Sequence, residues 1–181
     1  MPPTTPPTTH IPLPYRLFHL YIEPLLFVPG GIYLSLFQPR QFLLSTTPSS
    51  LSLPYRPDYP TASSPNPEPI TPVIQQLLTN TAGLYFLFML NELLVLWLSD
   101  DIKIWRAVIF AMLCCDVLHL YGLWVAGGTE FMLDPMGKWA EEDWVNGCIL
   151  LGGAVLRACF LAGLGVRDGK GEGKKKGDKK E

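Results

Sequence analysis

The stretch Trp105 to Ala126, WRAVIFAMLCCDVLHLYGLWVA, constrains this chain more than any other. It has the length of a membrane-crossing helix, for which about 20 predominantly apolar residues suffice. Yet Asp116 and His119 stand near its middle at i, i+3 spacing, which places them on one helical face. An ionisable pair at that depth is costly against lipid, so its face must turn toward other protein or trapped water. The stretch needs partner helices with polar groups at the same depth.

Those partners are present. Apolar residues gather in four blocks, giving expected spans at about 17–37, 82–98, 104–126 and 145–166. A soluble bundle would need a wet face on each helix, and blocks with so little amphipathic alternation leave none. The expected fold is all-α: a four-helix transmembrane bundle with a kinked first helix and a short luminal interfacial helix. Residues 1–14 form a Pro/Thr-rich disordered lead, residues 15–166 the membrane domain, and residues 167–181 a basic disordered tail. The lead has no positive n-region and no cleavage site follows the first block, so the first span is expected to be retained.

Each span carries an irregularity. The first contains Glu23-Pro24 and then Pro29-Gly30-Gly31, so its helix should kink or break around Glu23 and again near Gly30. His19 and Glu23 share a face at i, i+4. The Pro- and Ser-rich segment 38–72 has almost no periodicity and reads as an extended luminal loop. Pro72 then starts a helix whose apolar core is interrupted by Asn91 and Glu92, and Asp100-Asp101 end it in a tight turn. Trp139 and Trp144 bracket Glu141, Glu142 and Asp143, the pattern of a helix lying in the interface. In the fourth span Ala154, Ala158 and Ala162 recur every four positions beside Gly152, Gly153, Gly163 and Gly165, a small-residue stripe that lets backbones approach closely. Cys114, Cys115, Cys148 and Cys159 match no metal spacing and read as small apolar fillers.

Charge orients the chain. Lys170, Lys174, Lys175, Lys176, Lys179 and Lys180 place the tail in the cytosol by the positive-inside rule, and four crossings return the N-terminus to the same side. Arg16, Lys103 and Arg106 agree with this; Arg40, Arg56 and Lys138 fall on the far side. Lys179 and Lys180 lie one position too close to the end for a dilysine retrieval signal, a hint of the endoplasmic reticulum.

A helical rise of about 1.5 Å per residue sets the depth of each polar group. From the cytosolic end, Glu92 lies roughly 12 Å above Asp100, Asp116 roughly 15 Å from Arg106, Arg157 roughly 15 Å from Arg167 and Glu23 roughly 10 Å from Arg16. Four ionisable residues from four spans arrive at one level, with His119 slightly deeper. Three carboxyl groups then face one arginine, so one acid is expected to pair with Arg157 and at least one other to remain protonated.

A buried acid of this kind can protonate an alkene or open an epoxide. If the chain is an enzyme, it is a membrane-embedded isomerase or cyclase in which Asp116 and Glu92 are acid and base, His119 relays the proton and Arg157 fixes a carboxylate. A receptor for an amine would use the same cluster. So would a scaffold in which Glu23, Asn91 and the others hold helices in register. Ion or proton passage fits less well, since four short helices leave little room for alternating access. No phosphate loop, nucleophile elbow or His-rich metal motif occurs. No metal, cofactor or nucleic-acid partner is therefore expected; the expected partners are the bilayer and an isoprenoid or sterol-like ligand.

The motifs YRLFHLYIEP, FQP, LYFLFMLNE, the WR opening the third span, DVLHLYG, EDWVN and RACFLAG resemble a fungal four-helix transmembrane family of the domain of unknown function 7704 type. The resemblance covers about Tyr15 to Val166 and implies a fungal integral membrane protein with no established activity. In architecture the chain is also similar to the sterol-isomerase and sigma-type receptor family. That likeness implies a pocket in which Tyr85, Phe88, Tyr121 and Trp124 stand beside Glu92, Asp116 and His119.

Overall fold

The computed structural model describes residues 11–56 and 67–166. Most of the expected lead, the basic tail and the middle of the 38–72 loop lie outside the described residues. The described residues form seven helices, α1 (Leu13–Phe37), α2 (Pro39–Thr46), α3 (Ser49–Ser52), α4 (Pro72–Leu96), α5 (Ile102–Leu133), α6 (Pro135–Lys138) and α7 (Glu141–Leu161), and a 3-10 turn at Leu53–Tyr55. No strand occurs among the described residues. Helices α1, α4, α5 and α7 are long and apolar enough to cross a membrane, and the chain is a multi-pass integral membrane protein.

Local chemistry explains where the helices begin. Pro39, Pro72 and Pro135 each occupy the first helical position, where a missing N–H removes nothing the helix would use. Thr71 Oγ1 accepts from the Ile74 amide at 3.3 Å, and Asp101 Oδ1 accepts from Lys103 at 2.8 Å. Asp143 Oδ2 reaches back to the Ala140 amide at 2.8 Å and starts α7.

Two spans widen where their glutamates sit. Phe18–Phe27 in α1 and Asn91–Leu96 in α4 are π-helical. In the first the Val28 amide donates to the Glu23 carbonyl, and in the second the Trp97 amide donates to the Glu92 carbonyl. Pro24 lies inside the first segment and has no amide to place in the ladder. The helix answers with a wide turn instead of a break. The second break, expected near Gly30, does not occur: Val28–Phe37 continues as α-helix. Pro29 falls in its first turn, where proline is tolerated, and Gly31 lies against the Tyr85 ring.

The segment read as an extended loop is helical over Pro39–Tyr55 apart from short joints. It is tied to the start of α7. Ser49 N–H donates to Asp143 Oδ1 at 3.1 Å, Asn146 Nδ2 to the Thr46 carbonyl at 3.4 Å, and Arg56 pairs with Glu142 at 3.2 Å. Too few apolar residues recur in it to show a helical period; tertiary contacts supply what the pattern lacks.

Gly128, at φ 82° and ψ 173°, breaks α5 before its last turn and reverses the chain. Trp139 clamps the reversal, donating from Nε1 to the Phe131 carbonyl at 2.8 Å and stacking edge-on against Trp144. The four cysteines are free, and Cys114, Cys115 and Cys148 are exposed rather than packed as fillers. The alanine stripe of α7 also differs from expectation. Ala158 and Ala162 are exposed, while Gly147 and Gly153 are the small residues that are buried.

At the end holding Ile11 and Val166 the four spans converge. Tyr15, Leu20, Leu96, Trp105, Ile109 and Phe160 form a buried apolar plug there, with Tyr15 and Phe160 rings edge-to-face at 5.0 Å. Toward the opposite end α1 stays with α4 and α5 stays with α7, but the upper part of α4 and α5 approach each other only sparsely. The two pairs thus leave a wedge between them, and α2 bridges part of it by packing on α7.

Candidate functional site

One face of α5 repeats as Trp105, Ile109, Met112 and Asp116, all buried, so the helical period itself carries Asp116 into the bundle. Arg157 reaches the same level from α7, where Gly153 one turn earlier leaves the space its guanidinium occupies. Arg157 Nη1 donates to Asp116 Oδ2 at 2.5 Å, and its Nη2 donates to Glu23 Oε1. The guanidinium also lies 5.5 Å from the centroid of the Phe88 ring. A single arginine thus joins carboxylates from two other spans, the fork geometry that a lysine lacks.

Glu23 continues the network through its second oxygen. His19 Nδ1 lies 3.2 Å from Glu23 Oε2 and 3.3 Å from Glu92 Oε1. His19 and Glu92 are fully buried. The chain of contacts Glu92–His19–Glu23–Arg157–Asp116 therefore crosses all four spans.

Above this network, in the wedge between the helix pairs, is a cavity of about 870 Å³. Glu23, Asp116 and Arg157 form its floor; Phe27, Leu34, Leu84, Phe88 and Leu118 are among its apolar walls. His119 is on the wall one turn above Asp116. Phe42, Ser45 and Thr46 of α2 close part of one side. Below the network lies the apolar plug, whose buried residues close the cavity floor.

The description of a domain of unknown function, DUF7704, matches residues 8–167. The chain belongs to the DUF7704 family. No curated protein and no solved structure matches it. Membership brings no activity with it, so chemistry must be read from the site.

The residues singled out in the sequence separate into three groups. Asp116, Glu23 and Arg157 meet at the cavity floor, with His119, Tyr85 and Phe88 on the walls. Glu92 joins the same network but sits behind His19, away from the cavity lining. Asn91 is half-buried and outside that lining, while Tyr121 and Trp124 are exposed, with Trp124 Nε1 donating to Thr129 Oγ1 at 3.1 Å. His19, the hub between Glu23 and Glu92, was not among the candidate site residues. Its signal was the i, i+4 spacing to Glu23. The α2 residues on the cavity wall had no comparable signal, because nothing in segment 38–72 shows which part folds back.

Proposed function

We propose that this protein holds a hydrophobic, isoprenoid- or sterol-like molecule in the cavity, with the molecule's polar end on the Glu23–Arg157–Asp116 floor. One observation carries this reading: a space of about 870 Å³ with largely apolar walls, Glu23, Asp116 and Arg157 at its floor, and Glu141 and Glu142 also in its lining. Its size lies within the range of about 300–1,000 Å³ typical of small-molecule sites. Two carboxylates on one guanidinium leave an excess of acceptors, which favours a hydroxyl or amine at the ligand's polar end. The sparse contact between α4 and α5 supports lateral access from the bilayer, past Leu84 and Leu118.

Conversion is the stronger form of the same reading. Asp116, a carboxylate on Arg157 in the resting floor, would have to take up a proton to act as the acid, and His119 stands beside it on the wall. Glu92 would act as base only through His19 and Glu23, and Arg157 holds the floor carboxylates in place. The alternative, a non-catalytic scaffold, is favoured by the way one polar network ties together all four spans. The basic residues Arg16, Lys103 and Arg106 support a cytosolic placement of the bundle end they share.

Native mass spectrometry of the purified full chain, beside Asp116→Asn, tests the ligand reading. A discrete co-purifying lipid in the wild type, lost from the folded variant, is the expected result. A wild type that retains no lipid, beside a variant that dissociates in detergent, would hand the network to the scaffold reading.

A further inference from the structure

The groups beneath the floor are arranged for more than a hydrogen bond. His19 Nδ1, a Glu23 oxygen and a Glu92 oxygen all lie within 4.8 Å of one another, and all three residues are buried. The two nitrogen–oxygen separations are 3.2 and 3.3 Å. Ligand atoms about 2.1 Å from a shared divalent ion stand roughly 3.0 Å apart in octahedral and roughly 3.4 Å apart in tetrahedral coordination. The observed spacings fall in that interval.

Hydrogen bonding alone leaves this cluster incomplete. Nδ1 carries at most one hydrogen and faces two carboxyl oxygens from separate spans. Glu92 Oε2, on a side chain with no exposed surface, has no hydrogen-bond partner. Such an orphaned oxygen is costly in a dry interior and is a natural further ligand atom. Charge points the same way. Glu23, Glu92 and Asp116 supply three carboxylates against Arg157, and one divalent cation brings the buried set to neutrality.

We propose that His19, Glu23 and Glu92 form a site for a divalent first-row transition-metal ion, set between the first and second spans beneath the cavity floor. One imidazole with two carboxylates suits zinc, iron or manganese better than calcium or magnesium, which take all-oxygen cages. The His19 ring then keeps its proton on Nε2, which is buried without a hydrogen-bond acceptor, and its edge-to-face neighbours Phe18 and Trp105 hold its plane. The ion links the two π-helical turns. It also fixes Glu23, whose other oxygen holds Arg157 at the floor. In this arrangement Glu92 is a ligand rather than a base. The inference stands whether or not the cavity holds a lipid.

The test is chelator treatment of the purified full chain and reloading with Co²⁺, read by visible absorption and metal analysis. One Co²⁺ per chain is expected, displaced by Zn²⁺, retained in His119→Gln and lost in Glu92→Gln and His19→Gln. A folded wild type that takes up no Co²⁺ would overturn the proposal, as would folded Glu92→Gln and His19→Gln chains that bind it like wild type. Should those two variants fail to fold, pulsed EPR on the Mn²⁺-loaded chain decides. The chain has three histidines. Nitrogen hyperfine coupling that survives His10→Gln with His119→Gln assigns the imidazole to His19; its absence sinks the site.

Discussion

Arg157 is where the interior is most sensitive to a single change. Its two carboxylate partners arrive on different spans, and among the described residues neither pairs with another arginine or with a lysine. Removing the guanidinium leaves two buried acids facing each other, and breaking a buried pair this way costs about 3–5 kcal/mol. Arg157→Met should therefore lower the unfolding midpoint in detergent sharply. Adding Glu23→Gln and Asp116→Asn to it should recover most of the loss, since the two acids that faced the guanidinium then carry no charge. An Arg157→Met chain that unfolds like wild type would show that the network bears no packing load. Much of this level was legible beforehand, because helical rise fixes depth without knowledge of the fold and four charged groups shared one depth. What depth omits is direction around each helix. Tyr121 and Trp124 have suitable depth and chemistry, yet both face outward.

The elements show how ends and widened turns set that direction. Helix α7 ends in a Schellman turn: the Leu164 amide donates to the Cys159 carbonyl at 3.0 Å and the Gly163 amide to Phe160 at 2.9 Å. Gly163 has φ 79°, a conformation that costs a side-chain-bearing residue about 1–2 kcal/mol. The carbonyl of Leu164, held by this turn, accepts from Tyr15 Oη at 2.9 Å and so pins α1 to the end of α7. Gly163→Ala should destabilise the chain by about 1–2 kcal/mol, and Tyr15→Phe by about 1 kcal/mol. The double variant should fall short of the sum, because both act on one carbonyl. Strict additivity in equilibrium unfolding would mean that the turn and the tyrosine are independent. In sequence this glycine looked like part of a packing stripe, since composition cannot tell a helix interior from its cap. Similarly, the proline at position 24 announced a disturbance but not its form. The π turn preserves the helix and brings Glu23 to His19, and only the partner spans reveal that choice.

For the whole molecule, the decisive feature is that the bundle is closed at one end and divided at the other. The plug around Trp105 and Phe160 is buried and aromatic, while the wedge above it is bounded by helix pairs that separate. A continuous pore would need an opening through that plug, so this shape serves a receptacle better than a passage. If lipid enters between α4 and α5, side chains at that gap control occupancy without supporting the fold. Leu84 and Leu118 line the cavity and are 67% and 69% exposed, so enlarging them displaces few packed neighbours. Leu84→Trp and Leu118→Trp, singly and together, should reduce co-purifying lipid by at least about tenfold, the equivalent of roughly 1.4 kcal/mol. Their unfolding midpoints should stay near wild type. Phe110→Trp, on an exposed position of α5 outside the lining, controls for added aromatic bulk and should retain lipid normally. Native mass spectrometry beside thermal unfolding reads both quantities from one preparation. Lipid retained in the double variant would place the route elsewhere or the lipid outside the wedge. Lipid lost together with stability would mean that the two leucines hold the helix pairs apart, and that the wedge is architecture rather than a doorway.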